Sequence, residues 1–153
     1  METLERLMRE HPFLQGMDQR LIQVLVGCAS NVRFEPGDYV AHEGEEATKW
    51  YLVRSGQVVL ETHVPGIGAV QVGTLGENDV IGWSWIMAPY LWHFDCRVVQ
   101  PTRAVALEGI CMRQKCDADR ELGYELMKRF LYVVQQRLTW ARLQLVDMYK
   151  GQI

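Results

Sequence analysis

Between Val32 and Glu108 the sequence drops helical periodicity, and turn-forming clusters recur about every eight to twelve residues. They fall at Glu35-Pro36-Gly37-Asp38, His42-Glu43-Gly44, Ser55-Gly56, Val64-Pro65-Gly66-Ile67-Gly68, Gly76 with Asn78, and Gln100-Pro101-Thr102. The pieces between them are short and rich in β-branched and aromatic residues. Lys49 to Arg54 reads as a buried strand ending at Ser55-Gly56, and Gln57 to His63 faces Ala69 to Leu75 across a hairpin. Alternating strand and helix units need a helical pattern between strands, and none is present. This cadence suits an antiparallel sandwich or jelly roll, so the expected fold is mainly β, a roll of about eight strands.

Helical spacing flanks the roll on both sides. Leu4, Leu7 and Met8 recur at helical intervals until His11-Pro12, because proline disfavours helix in the residue before it. A second pattern runs from Met17 to Ala29 through Leu21, Ile22, Val24, Leu25 and Val26, with Asp18 near its start. A chain of 153 residues is the size of one ordinary domain with its own core. The expected division is two short N-terminal helices over 1–31, a β-roll over 32–108 with a pocket segment at 76–97, and C-terminal helices over 109–150.

After a short helix at Gly109 to Cys116, Asp117, Asp119 and Glu121 supply negative charge at the start of a long helix ending near Lys150. Acidic residues there and a lysine at the far end complement the helix dipole. Met127, Leu131, Val134, Leu138, Ala141, Leu145 and Met148 alternate at spacings of four and three, which is a heptad seam. Leu122, Leu126, Phe130 and Val133 form a second apolar set. One stripe can cover the roll while the other meets a second copy of the chain; alternatively both are intramolecular core.

The densest aromatic grouping is Leu75 to Arg97, where Trp83, Trp85, Tyr90 and Trp92 fall close together beside Gly82 and Pro89. Such rings form either a shaped pocket or a stiff local core.

The order and spacing of Phe34, Pro36-Gly37, Gly44, Tyr51-Leu52-Val53, Gly56 and Val58, continuing through Gly76, Asp79-Val80 and Gly82, resemble cyclic-nucleotide-binding domains of the cAMP receptor protein superfamily. The resemblance spans Thr3 to about Tyr149. It implies the roll, a pocket at the segment beginning Ile81-Gly82, and a parallel dimer through the long helix. In that family a glutamate accepts from the ribose hydroxyl, an arginine in an Arg-x-Ala motif pairs with the cyclic phosphate, and backbone amides of a short helix hold the anion. Here Trp83 stands at the glutamate position, and Trp92-His93-Phe94 align with Arg-x-Ala. Losing both polar partners leaves a desolvated phosphate uncompensated, so neither cAMP nor cGMP is expected to bind. Arg97, Arg103 or a protonated His93 are the candidate replacements, with Asp95 two residues from His93. The candidate ligand-binding residues are Ile81, Gly82, Trp83, Ser84, Trp85, Trp92, His93, Phe94 and Asp95. Three states of this segment stay open: a pocket for another small molecule, a pocket filled by its own rings, and a protein-docking patch.

The superfamily's transcription factors continue into a helix-turn-helix, whereas only Gly151-Gln152-Ile153 follow the long helix here. With a net charge of −3, a direct nucleic-acid contact is not expected, and output would pass through a partner protein. No apolar run is long enough to cross a bilayer, and no secretory start is evident, so a cytoplasmic protein with reduced thiols is expected. Cys28, Cys96, Cys111 and Cys116 lack the two-residue spacing of zinc and cluster motifs, and His11, His42, His63 and His93 are scattered. No metal or cofactor is therefore expected, with a redox or metal sensor as the cysteine-based alternative. No nucleophile elbow, phosphate loop or metalloprotease helix is present, and the acidic turn Glu43, Glu45, Glu46 reads as a solvated loop, so no enzyme is expected. The sequence points to a dimeric ligand-sensing regulatory module, with a structural adaptor carrying a ligand-free pocket as the alternative.

Overall fold

The computed structural model describes residues 3–151. Its elements are α1 (Leu4–Glu10), a 3₁₀ turn (Pro12–Leu14), α2 (Gln19–Val26), β1 (Ala29–Phe34), β2 (Tyr39–Ala41), β3 (Lys49–Val64), β4 (Gly68–Gly76), β5 (Val80–Ile81), a second 3₁₀ turn (Ser84–Ile86), β6 (Asp95–Glu108), α3 (Gly109–Ala118) and α4 (Arg120–Lys150). The strands form one antiparallel sheet in the order β1-β6-β3-β4, with β2 added to β6 and β5 to β3. β1 begins at Ala29, three residues before the period change at Val32 marks it in the sequence. Gln152 and Ile153 lie outside the described residues.

Six strands do the work expected of about eight, because β3 and β6 run through the turn signals at Ser55-Gly56 and Gln100-Pro101 instead of stopping there. The register between them shifts three times, at Val53/Ser55, Ser55/Gln57 and Gln57/Val58, and such irregularities bend a strand without ending it. Gly56 makes the crossing possible. Its φ is +106°, and a methyl group there would lie 2.4 Å from the Thr102 Oγ1 of β6.

Because β3 buries both faces, its alternation feeds two cores. Trp50 and Leu52 point to the helical side with Met8, Leu21, Ile22, Leu25, Trp85, Leu107, Met112 and Phe130. Tyr51 and Val53 point into the roll with Val58, Leu60, Leu75, Ile81, Trp92, Phe94 and Cys96. Trp50 stacks on Trp85 with centroids 5.4 Å apart, and Phe130 meets both rings edge-on at 5.0 and 5.7 Å. Each such pair contributes roughly 0.5–1.5 kcal/mol beyond its buried area.

Asp119 caps α4, its Oδ1 accepting from Leu122 N at 3.3 Å. Arg20 of α2 donates to Asp119 at 2.6 Å and to Glu121 at 2.7 Å, which ties the N-terminal helices to α4 and holds the Asp119 carboxyl below its usual pKa. Leu122, Leu126, Phe130 and Val133 are the buried residues of α4. The seam residues Leu131, Leu138 and Met148 remain 70%, 61% and 65% exposed.

The expectation of reduced thiols is corrected in one respect. Cys28 at the base of β1 and Cys111 in α3 are joined by a disulfide, with Cα atoms 5.7 Å apart. Folding brings together two residues 83 positions apart, a proximity that spacing does not show. Cys96 and Cys116 are free thiols, and burial pushes their pKa values up to about 12 and about 11. In this disulfide form Cys28 and Cys111 are bonded to each other and to no other cysteine. Among the described residues no three His, Cys, Asp or Glu side chains group as metal ligands, and no helix is long and apolar enough to cross a membrane.

Candidate ligand-binding site

The segment from β5 to β6 is held by backbone bonds to the acidic turn after β2. Gly44 N donates to Trp92 O at 2.9 Å, Trp92 N to Glu45 O at 2.9 Å, and Ala47 N to Tyr90 O at 2.7 Å. The residues that read as a solvated loop therefore frame the pocket segment. From α3, Arg113 donates to Trp85 O at 2.5 Å and lies 4.0 Å over the Tyr90 ring.

Seven of the nine candidate residues divide among three environments. Trp85 and Ser84 are buried, and Trp85 belongs to the helical-side core rather than to a pocket wall. Ile81 and Trp92 are buried inside the roll, where Trp92 packs over Gly82 so closely that a methyl group at Gly82 would lie 2.6 Å from its ring. Only Gly82, at φ +95°, accommodates that approach. Trp83 and Phe94, 6.3 Å apart, border a hollow of about 240 Å³ together with Leu60, Val72, Arg137 and Trp140.

His93 and Asp95 do not pair. His93 lies exposed in the bend before β6, while Asp95, the first residue of β6, accepts from Glu43 N at 2.8 Å and lies 3.9 Å from His42. Arg97 is not available as a replacement cation either, since its guanidinium is bound to Glu61 at 3.0 Å. No solvent-exposed cluster of rings is present at Trp83, Trp85 and Trp92, which disfavours the docking patch.

The cation in the hollow comes from α4. Arg137 lies 5.5 Å from the Trp83 ring and 5.2 Å from the Trp140 ring, and its Nη2 donates to Val80 O at 2.9 Å. Its Nη1 is buried without a hydrogen-bond partner. Burial lowers the guanidinium pKa, opposed by the charge of Asp79, whose own carboxylate accepts from Gly76 N at 2.8 Å. Buried N–H groups without partners are rare, and each carries a desolvation cost of about 1–3 kcal/mol or more. Trp140 covers β4 at Gly73, where a methyl group would meet its ring at 3.3 Å, and Gln144 donates to Val72 O at 3.4 Å.

A larger cleft of about 470 Å³ lies on the other side of Arg137, between the first 3₁₀ turn, Asn78-Asp79-Val80 and α4. Its other cations are already paired: Lys128 and Arg129 both contact Glu125, and Arg129 also donates to Gln15 O. Arg137 lines both spaces, and the aromatic rings of Trp83, Phe94 and Trp140 line the smaller one.

Comparison with known proteins agrees with this architecture. Over 145 residues the chain is 24% identical to the CRP-like cAMP-activated global transcriptional regulator of Mycobacterium tuberculosis, covering 95% of this chain and 63% of the regulator. It thus spans under two thirds of that relative's length. A protein described as a candidate cyclic nucleotide-binding protein from Geobacter metallireducens superposes with a TM-score of 0.80 at 23% identity, covering 90% of this chain and 99% of that one. The regulatory subunit of a cAMP-independent protein kinase A from Trypanosoma brucei superposes with a TM-score of 0.73 at 20% identity, covering 92% of this chain and 49% of that one. The sequence profile for the cyclic nucleotide-binding domain matches residues 31–119, well over half of the chain, and the protein belongs to that family of regulatory domains.

Proposed function

We propose that the chain is a cytoplasmic, homodimeric sensor whose ligand is a small, flat molecule with one anionic or hydrogen-bond-accepting group, and is neither cAMP nor cGMP. The ligand's rings stack among Trp83, Phe94 and Trp140, and its polar group takes the Arg137 guanidinium as partner. The observation that carries this reading is the unpartnered Nη1 of a buried cation beside an aromatic hollow. Arg137 and Trp140 both belong to α4, so occupancy acts directly on the helix whose seam Met127, Leu131, Val134, Leu138, Ala141, Leu145 and Met148 pairs with a second copy. Output then passes to a partner protein.

Three features argue against a cyclic nucleotide. Trp83 occupies the glutamate position, Trp92 lies on Gly82 where the family's short helix receives the phosphate, and the hollow falls below the roughly 300–1,000 Å³ of pockets for drug-sized ligands. A protein that shares the fold is described as the regulatory subunit of a cAMP-independent protein kinase A from Trypanosoma brucei. The adaptor reading has one observation in its favour: Trp92, buried inside the roll over Gly82, fills space that a pocket would leave open.

Thermal unfolding separates the two, because a molecule that binds only the folded state raises the melting temperature. Benzoate is expected to stabilise the protein and its neutral isostere benzamide to do so less. Calorimetry showing micromolar affinity for cAMP or cGMP overturns the proposal, and indifference to a series of aromatic carboxylates built out from benzoate favours the adaptor.

A further inference from the structure

The four cysteines divide into two chemically different pairs. Cys96 and Cys116 are held as neutral thiols by burial, and a thiol reacts only through its thiolate. Cys28 and Cys111 are within bonding distance, and of these Cys111 is the more accessible. It also lies in the first turn of α3, where the positive end of the helix dipole favours the thiolate. Cys28 is 5% exposed and sits directly beneath it.

We propose that Cys28 and Cys111 form a reversible redox-modification site, oxidised by a hydroperoxide, whose disulfide fastens α3 and thereby the Trp83–Tyr90 segment to the base of the roll. The Cys111 thiolate attacks the terminal peroxide oxygen; the O–O bond breaks, the departing oxygen leaves as water or an alcohol after taking a proton, and Cys111 becomes a sulfenic acid. The Cys28 sulfur then attacks the sulfenic sulfur as its thiol proton passes to the departing hydroxide, forming the S–S bond and releasing water. The two sulfurs together lose two electrons and the hydroperoxide gains them.

The bond has a structural consequence because α3 supports the pocket segment. Two residues beyond Cys111, Arg113 holds Trp85 O and lies against Tyr90. At the helix start Gly109 N donates to Thr48 O at 2.8 Å, and a methyl group at Gly109 would lie 3.2 Å from the Trp85 Cβ. Glu108 N also donates to Cys28 O at 3.0 Å, so the disulfide reinforces a junction that the backbone already makes. In the dithiol form α3 keeps the backbone bond and loses the covalent clamp.

The test uses the full chain, reduced, freed of reductant and treated with equimolar hydrogen peroxide. After blocking thiols with N-ethylmaleimide, peptide mass spectrometry is expected to find Cys28 linked to Cys111 and Cys96 and Cys116 still thiols. The oxidised form is expected to melt roughly 10 °C higher, to differ in tryptophan emission, and to revert with excess dithiothreitol. Cys28→Ala is expected to accumulate a dimedone-reactive sulfenic acid at Cys111, whereas Cys111→Ala leaves Cys28 unoxidised. Linkage through Cys96 or Cys116, identical melting and emission in the two redox forms, or a bond that dithiothreitol opens only after unfolding each overturns the proposal.

Discussion

Replacing Arg137 with methionine separates a binding role from a structural one. The change removes a charge-assisted hydrogen bond to Val80 O, about 1.5–3 kcal/mol, and cation–π contacts to Trp83 and Trp140 amounting to about 1–2 kcal/mol. It also removes the unpartnered Nη1, which recovers about 1–3 kcal/mol, and relieves part of the cost of a buried charge, while the methionine stem fills most of the vacated volume. The terms nearly cancel. Urea unfolding followed by tryptophan fluorescence should therefore place Arg137→Met within about 1 kcal/mol of the native protein, a melting shift of no more than about 4 °C. Binding has no such compensation, since a charge-assisted bond of 1.5–3 kcal/mol corresponds to a loss of affinity for an aromatic carboxylate of roughly 10- to 150-fold. A destabilisation above about 3 kcal/mol would show that Arg137 is a structural brace, and unchanged affinity would remove it from the site.

Three further outcomes are expected. Leu131→Asp with Leu138→Asp places like charges on the exposed seam, and sedimentation velocity should show a monomer with native secondary structure; a persistent dimer places the interface elsewhere. Gly82→Ala forces a methyl group to 2.6 Å from the Trp92 ring at φ +95° and should cost roughly 2–4 kcal/mol in urea unfolding, whereas a cost below about 1 kcal/mol contradicts the packing. His11 donates from Nε2 to Val53 O at 3.0 Å and accepts at Nδ1 from Phe13 N at 3.2 Å, so it is satisfied only when neutral, and burial lowers its pKa from the usual 6.5. The unfolded chain then binds that proton more readily, so this contribution is complete above about pH 6.5 and is lost as pH falls through the lowered folded value. His11→Gln should flatten that part of the stability profile; an unchanged slope assigns it to other groups.

The roll was legible because turn chemistry is local: Pro36-Gly37, Gly44, Gly56 and Gly82 each mark a place where the chain reverses, bends or approaches another strand closely. The strand count was not, because Gly56 and Pro101 serve as bends in continuous strands, and a bend and a turn share the same residues. Trp83 is placed at the pocket by its position after Ile81-Gly82, and Phe94 by the alignment of Trp92-His93-Phe94 with Arg-x-Ala. Arg137, Trp140 and Gly73 were missed, although a signal for two of them exists. The buried stripe Leu122, Leu126, Phe130, Val133 continues at the same spacing through Arg137, Trp140 and Gln144, so the helix keeps one face on the roll while its chemistry changes from apolar to polar and aromatic. Reading only apolar residues for periodicity ends that stripe too early. The Cys28–Cys111 contact has no local signature, because it depends on how α3 folds back against the start of β1.

The most direct test of whether the polar contact has moved from the pocket segment to α4 is a side-chain NMR titration. It would follow the Arg137 Nε–H and Trp140 indole resonances against benzoate and against cAMP. Saturable shifts of both with benzoate, and none with cAMP, are expected. Saturable binding of cAMP that moves the Ile81–Ser84 amides and leaves Arg137 unperturbed would contradict the account.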